Sequence, residues 1–415
     1  LNKSNISDTF DNIILNSKAY NYLKLHYNIG RKFNIGSINR FTPVKSDDKK
    51  TRVTLILPRF RKSDVFGGIS TSIKFGLDLA EYLGADFRIL VQSNETYGRD
   101  TYELDGFSHN SENKGLFFMG ESRKIKVRKN EIFIAVFWTS AYILPSILKW
   151  EKKVYGRINP FVYLIQDFEP GFFRWSTEYC LAESTYRNCP ENIIAVYNSK
   201  ELYCYFKNNG YKFHDNLYFT PYLNDRLRKY LFDKPQVKRK KQIIFYGRPG
   251  TARNAFEIVS YSLKLFSEKY KNASEWTIKG LGENFGSLKL KNNIVRSCGK
   301  LSLDEYAACM KESYAGISLM ISPHPSYPPL EMAAFGVQTI TNSFVCKDLS
   351  SFSKNIHSLD ICTAENIEKE LEKICDGYYK GLQSSIMDKD NDYIKGEDFD
   401  KCIIALSRIL KETIC

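Results

Sequence analysis

Short β-rich runs, each closed by a turn and followed by a stretch long enough for a helix, recur along this sequence in two series. Arg52-Val53-Thr54-Leu55-Ile56-Leu57 is stopped by Pro58, a turn holding Gly67-Gly68 follows, and Ile69 to Tyr82 has helical spacing. Strand-like runs return at 87–91, 132–138, 161–165 and 193–197. The segment Lys234-Pro235-Gln236-Val237-Lys238-Arg239-Lys240-Lys241 is basic and poor in large apolar residues, which reads as an exposed linker. The pattern then restarts with a strand at 242–246, a helix from about Asn254 to Lys269, and strands at 276–280, 294–298 and 315–320. Such alternation builds parallel sheets with helices on both faces.

At 415 residues the chain exceeds the size at which one core keeps growing, so two domains are expected. The spacing sets them at 1–234, with a helical preamble and loop over 1–50, and at 235–392. The tail, 393–415, is predicted to hold an amphipathic helix with Phe399, Cys402, Ile403, Leu406 and Ile409 on one face.

Composition narrows the class. An apolar fraction of 43% and a charged fraction of 26% are those of a globular protein, not a disordered one. No run approaches the roughly 18 apolar residues that span a bilayer, and the amino terminus shows no continuous apolar leader. Ten cysteines, none in a Cys-x-x-Cys pair, read as reduced thiols of a cytoplasmic enzyme, with no disulfide framework and no metal site. The net charge of +13 favours phosphate-bearing partners, including the anionic inner face of a membrane. Nucleic acid is disfavoured, because no basic cluster joins a recognised binding module.

Three sites carry chemistry. Around Asp64, paired Gly67 and Gly68 allow backbone to approach an anion just where a helix begins, though a tight turn would use the same residues. Arg248 and Arg253 stand five positions apart between a strand and a helix, placed to grip diphosphate oxygens, and Lys300 follows a later strand of the same domain. In Ser322-Pro323-His324-Pro325-Ser326-Tyr327-Pro328-Pro329-Leu330-Glu331 the prolines break regular structure and Glu331 enters the first turn of a helix. That carboxylate complements a helix dipole or accepts hydrogen bonds from sugar hydroxyls.

In this order the glycine loop, the Gly247-Arg248 turn and the Pro328-Pro329-Leu330-Glu331-x-x-Ala334-x-Gly336 helix start resemble glycosyltransferase family four and its relatives on the GT-B fold. The stretch 163–173, with Leu181-Ala182-Glu183-Ser184-Thr185-Tyr186 after it, is similar to bacterial rhamnosyltransferases of rhamnan and surface-layer glycans. The resemblance implies an α/β protein of two Rossmann-like domains facing across a cleft, with the last helix packing back on the first domain. It implies a carboxy-terminal domain that binds dTDP-L-rhamnose and no cofactor. Arg248 and Lys300, with Arg253 where relatives commonly have lysine, would neutralise the diphosphate, and Glu331 would hold the deoxyribose. The amino-terminal domain would receive a glycan acceptor, lipid-linked where such glycans are assembled.

Two departures from the family pattern bear on the mechanism. Pro323 stands where relatives commonly carry a first carboxylate, and the strand end that offers a hexose-contacting histidine elsewhere offers Gln166-Asp167. A 6-deoxy sugar needs no such contact. Fixed cations at the leaving diphosphate supply the electrostatic stabilisation. Asp167, favoured over Asp64, orients the acceptor or takes its proton, with Gln166, Glu169 and Asp64 as acceptor or sugar contacts. A retaining, same-face transfer is expected. The rivals are another nucleotide sugar, a nucleotide-sugar epimerase, and a non-catalytic carbohydrate-binding protein.

Overall fold

Runs of Val, Ile and Leu with no polar alternation belong in strands buried on both faces. Arg52-Val53-Thr54-Leu55-Ile56-Leu57 ends in such a run, and every one of its residues is buried, Arg52 and Thr54 included. The structure, a computed structural model, describes residues 35–60, 68–93, 108–109, 115–119, 123–235, 237–382 and 385–414.

Near the start, β1 (Thr42–Lys45) pairs in parallel with β6 (Lys124–Val127). A strand thus replaces part of the loop expected there, while the helical spacing before it lies outside the described residues. The first large sheet is parallel and has eight strands: β2 (Arg52–Leu57), β3 (Asp86–Val91), β4 (Ser108–His109), β5 (Gly115–Phe118), β7 (Glu131–Ala135), β8 (Phe161–Ile165), β9 (Ile193–Tyr197) and β10 (Asp215–Tyr218). Their spatial order is β10-β9-β8-β7-β2-β3-β5-β4. Helices α1 (Gly68–Leu83), α2 (Trp138–Tyr155), α3 (Thr177–Ser184) and α4 (Lys200–Asn208) alternate with them.

After α5 (Asp225–Asp233) comes the second sheet. Its strands are β11 (Lys240–Gly247), β12 (Thr277–Gly282), β13 (Leu288–Lys289), β14 (Ile294–Ser297), β15 (Ser313–Ile317), β16 (Gln338–Asn342) and β17 (Ile356–Leu359). They lie in the order β13-β14-β12-β11-β15-β16-β17, with only β13 antiparallel. Helices α6 (Phe256–Lys269), α7 (Leu303–Glu312), α8 (Tyr327–Ala334) and α9 (Ala364–Tyr379) cover its faces. Ser302 and Glu305 form a capping box at the start of α7, and Thr363 caps α9, so orphan amides there are met locally.

The boundary between the domains falls earlier than 234. Leu227 and Leu231 of α5 pack with Ile244, Met310 and Leu330 in the second core. Their apolar spacing was legible, but which sheet they would join was not. Nor are residues 234–241 wholly an exposed linker: Arg239 donates to the carbonyls of Met310 at 2.9 Å, Ser313 at 2.6 Å and Phe335. Burial lowers its guanidinium to about 10. Short α10 (Asp392–Lys395) still belongs to the second core through Tyr393 and Ile394. The last helix, α11 (Glu397–Ile414), returns to the first, burying Phe399, Cys402, Ile403, Leu406 and Leu410 with Leu79 of α1 and Phe219. No described helix is long and apolar enough to cross a membrane.

One ionic cluster sits inside the first domain. Glu131 at the start of β7 accepts from Arg52 Nε at 3.0 Å, from Arg88 Nη2 at 2.9 Å, from the Arg128 amide at 2.9 Å and from the Thr54 hydroxyl. Its carboxylate is fully buried; burial would raise its pKa, but Arg88 and Arg52 outweigh that and hold it below the usual range. A depressed carboxyl stabilises the fold above its unfolded pKa near 4.3 and loses that contribution as pH falls through the folded value. Glu131→Gln is therefore expected to cost about 3–5 kcal/mol at pH 7, as when a buried ion pair loses one partner, and less below pH 4. Denaturant unfolding at both pH values checks this.

Candidate active site at the facing sheet edges

In the second sheet β11 runs on to β12 on one side, while β15 takes the other side of β11. The loops leaving β11 and β15 therefore splay apart and open a crevice at the carboxyl edge, where open α/β sheets hold ligands. Arg248 follows β11 directly. Its Nε donates to Glu283 Oε1 at 3.1 Å, and Glu283 Oε2 accepts from the Gly250 amide at 2.8 Å. Glu283 stands just past β12, and the approach of the two loops rests on Gly282. That residue has φ +117, and a Cβ there would lie 2.9 Å from the Gly247 carbonyl oxygen.

Lys300 lies exposed past β14. The backbone beside it is fixed because the Gly282 amide donates to the Gly299 carbonyl at 2.9 Å. Tyr246, at the end of β11, is within electrostatic reach of Arg248 and Glu331. Glu331 projects from α8, partly buried beside the Tyr306 hydroxyl of α7; burial pushes its carboxyl up to about 7. Arg248, Lys300 and Glu331 thus lie along one edge of the sheet, on loops or a helix that follow β11, β14 and β15.

Arg253 leaves that group for the other domain. Its Nε is 3.4 Å from Asp167 Oδ2, and its guanidinium lies 4.1 Å over the ring of Phe172. Asp167, just past β8, is 6% exposed, and its Oδ1 accepts from the Phe168 amide at 2.8 Å and from the Ser322 hydroxyl of the second domain. Burial raises its carboxyl, with Arg253 opposing. As folded, Asp167 ties the two domains together and is not open to a substrate.

Glu169 is displaced from the role expected of it. It is 2% exposed and accepts from the Trp138 amide at the start of α2 and from the Tyr163 hydroxyl at 3.5 Å. Burial and the nearby Asp167 raise its carboxyl well above the usual range. It serves an orphan helix amide and touches no cleft surface. Gln166 stays at the cleft: its Nε2 donates to Ser72 Oγ at 3.0 Å, and its Oε1 would sit 2.5 Å from a Cβ on Gly68, so a larger residue there would push the Gln166 amide aside. Asp64 and Gly67 lie outside the described residues. The Tyr327 hydroxyl of α8 also lies within electrostatic reach of Thr71 of α1, across the boundary.

Glu283, Tyr246 and Tyr306 were not singled out in the sequence. For Glu283 the signal was there, a glycine and a carboxylate closing a strand, but its partner lies 35 residues away.

Residues 52–200 match the WsaF N-terminal domain and residues 241–372 the WsaF C-terminal domain, together more than half of the chain. The chain belongs to the WsaF family. Over 215 residues, 51% of the chain, it is 30% identical to the O-antigen biosynthesis protein RfbC of Myxococcus xanthus, of whose length it spans only 15%. Its fold is that of the GT-B glycosyltransferases. It is similar to trehalose-6-phosphate synthase, with a TM-score of 0.54 and 10% identity, covering 87% of this chain and 99% of that one. It is similar also to sucrose-phosphate synthase of Thermosynechococcus elongatus, with a TM-score of 0.52 and 10% identity over 88% and 97%.

A carboxyl raised to about 7 from an unfolded value near 4.3 takes up a proton on folding between those values, so it draws stability down as pH rises across that window. Glu331→Gln is expected to raise the unfolding temperature at pH 8 by more than it does at pH 5. Thermal scans at the two pH values decide it.

Proposed function

We propose that this chain is a glycosyltransferase of surface-glycan assembly that moves L-rhamnose from dTDP-L-rhamnose to a growing glycan. The observation that supports this reading is that Arg248, Lys300 and Glu331 follow strands at the same carboxyl edge of one sheet, with Tyr246 within electrostatic reach of Arg248 and Glu331. A diphosphate set against Arg248 and Lys300 leaves Glu331 to accept from the hydroxyl of the nucleoside sugar. As the glycosidic bond breaks, charge gathers on the leaving diphosphate and the fixed cations stabilise it. Glu283 holds Arg248 in place, so little reorganisation is needed at that moment.

The choice of rhamnose rests on the resemblance of residues 163–173 and on Gln166-Asp167 at a strand end where hexose enzymes place a histidine. Asp167 is committed to Arg253 and Ser322, so on this reading the acceptor proton passes to the leaving diphosphate and transfer is retaining. The net charge of +13 suits work beside an anionic cytoplasmic membrane face, where lipid-linked acceptors are presented.

The acceptor side has its own candidate. Trp175 is 93% exposed and stacks on Tyr179 at 5.5 Å and 14°, three residues beyond the Phe172 that lies under Arg253. A flat aromatic pair at the lip of a cleft suits the apolar faces of deoxy-sugar rings.

Calorimetry against dTDP, UDP and GDP tests the donor: dTDP is expected to bind best, and Arg248→Ala to weaken it by about 2 kcal/mol, the loss of a charged hydrogen bond to phosphate. Unchanged affinity would remove Arg248 from the site, and turnover of donor to an epimer without acceptor would replace transfer by epimerisation. Trp175→Ala is expected to raise the acceptor KM about 10-fold with dTDP affinity unaltered, which steady-state kinetics over acceptor concentration would show.

A further inference from the structure

His324 lies in the loop between β15 and α8, at the crevice and 5% exposed. Its Nδ1 accepts from the Ser326 amide at 3.0 Å, so the ring proton is on Nε2. That Nε2–H has no hydrogen-bond partner among the described residues. A buried donor left unmatched is costly, and one kept at a crevice calls for a partner from outside the fold.

Its surroundings place it where the two domains close. The neighbouring Ser322 bonds to Asp167 of the first domain, and the His324 ring packs 5.9 Å from that of Tyr327, whose hydroxyl lies within electrostatic reach of Thr71. Arg253 and Lys347 lie within electrostatic reach, and with burial they lower the imidazole to about 3. It therefore stays neutral at physiological pH, a donor through one nitrogen only. The backbone is held for this purpose as well: Ser326, a non-glycine residue, has φ +70, a conformation stabilised by the bond its amide gives to His324.

We infer that His324 Nε2–H donates to a hydroxyl oxygen of the sugar being transferred, making it a specificity-determining residue of the donor site. The inference rests on the donor reading above. It differs in naming a contact to the sugar and none to the nucleotide. Arg248, Lys300 and Glu331 address the diphosphate and nucleoside, and His324 supplies a neutral, directional donor that a charged side chain beside Arg253 would not.

The test compares binding of dTDP and of dTDP-L-rhamnose by calorimetry, and kcat/KM for transfer, in wild type, His324→Phe and His324→Asn, each checked for an unaltered thermal unfolding transition. His324→Phe keeps the ring and loses the donor; His324→Asn returns an N–H. The expected result is dTDP affinity within about 2-fold of wild type in both. For dTDP-L-rhamnose, His324→Phe is expected to lose about 10-fold or more in affinity and kcat/KM, and His324→Asn to recover part of it. Equal losses for dTDP and the sugar nucleotide, or no loss for either, would overturn the assignment. Wild type that binds dTDP but gains nothing from the rhamnosyl group would also overturn it, while wild type that binds neither would sink the donor reading itself. Should His324→Phe fold poorly, His324→Asn against His324→Ala carries the same comparison, with Asn expected to outperform Ala.

Discussion

A single buried carboxylate holds the halves of this protein in register. Asp167 leaves the end of a first-domain strand, enters the boundary, and is met there by Arg253 and Ser322 from two different loops of the second domain. Burying that charge would be costly without the guanidinium, and burying the guanidinium without the charge equally so. Each domain therefore completes an ion pair that the other leaves open. The relative placement of the crevice walls follows from this pairing together with the approach of Tyr327 to Thr71.

Around that tie, chemistry is divided by position along the sheet edges. Arg248 and Lys300 come from the loops after β11 and β14, Glu283, which holds Arg248, comes from the loop after β12, and the partly buried Glu331 comes from α8. All sit at carboxyl ends because strands in a parallel sheet must all point one way. Packing and charge are set apart by position: the apolar interiors of both sheets carry stability, while many charged groups gather at their rims. The Glu131 cluster adds an ionic set inside the first domain, its carboxylate met by two guanidinium groups and a backbone amide.

Much of the architecture was legible because parallel strands announce themselves as unbroken aliphatic runs: 52–57, 161–165 and 193–197 fall as their composition dictates. Weaker strands escaped notice. β10 alternates exposed and partly buried residues, and β13 is only two residues long. The allegiance of α5 was invisible, since an amphipathic helix shows that it packs without showing against what. At the candidate site, Arg248, Lys300 and Glu331 each sit in a short motif, so their position after a strand is legible from the sequence. Glu169 was misjudged for the opposite reason: a carboxylate near a strand end looks available until the helix amide that claims it, 31 residues back in the chain, is seen beside it.

The chain passes between the domains twice, and the two passages run side by side. Thr220 Oγ1 donates to Asp398 at 2.8 Å, the Leu223 amide donates to the Tyr393 carbonyl at 2.8 Å, and Gly396 fits against the ring of Tyr222 where a Cβ would come within 3.1 Å. Two adjacent strands of backbone joined this way act like paired pins on a door: they leave swinging about one axis easy and resist twisting or sliding. Whatever opening admits substrates is thereby confined to a single arc, so each cycle of parting and return brings the same side chains back face to face.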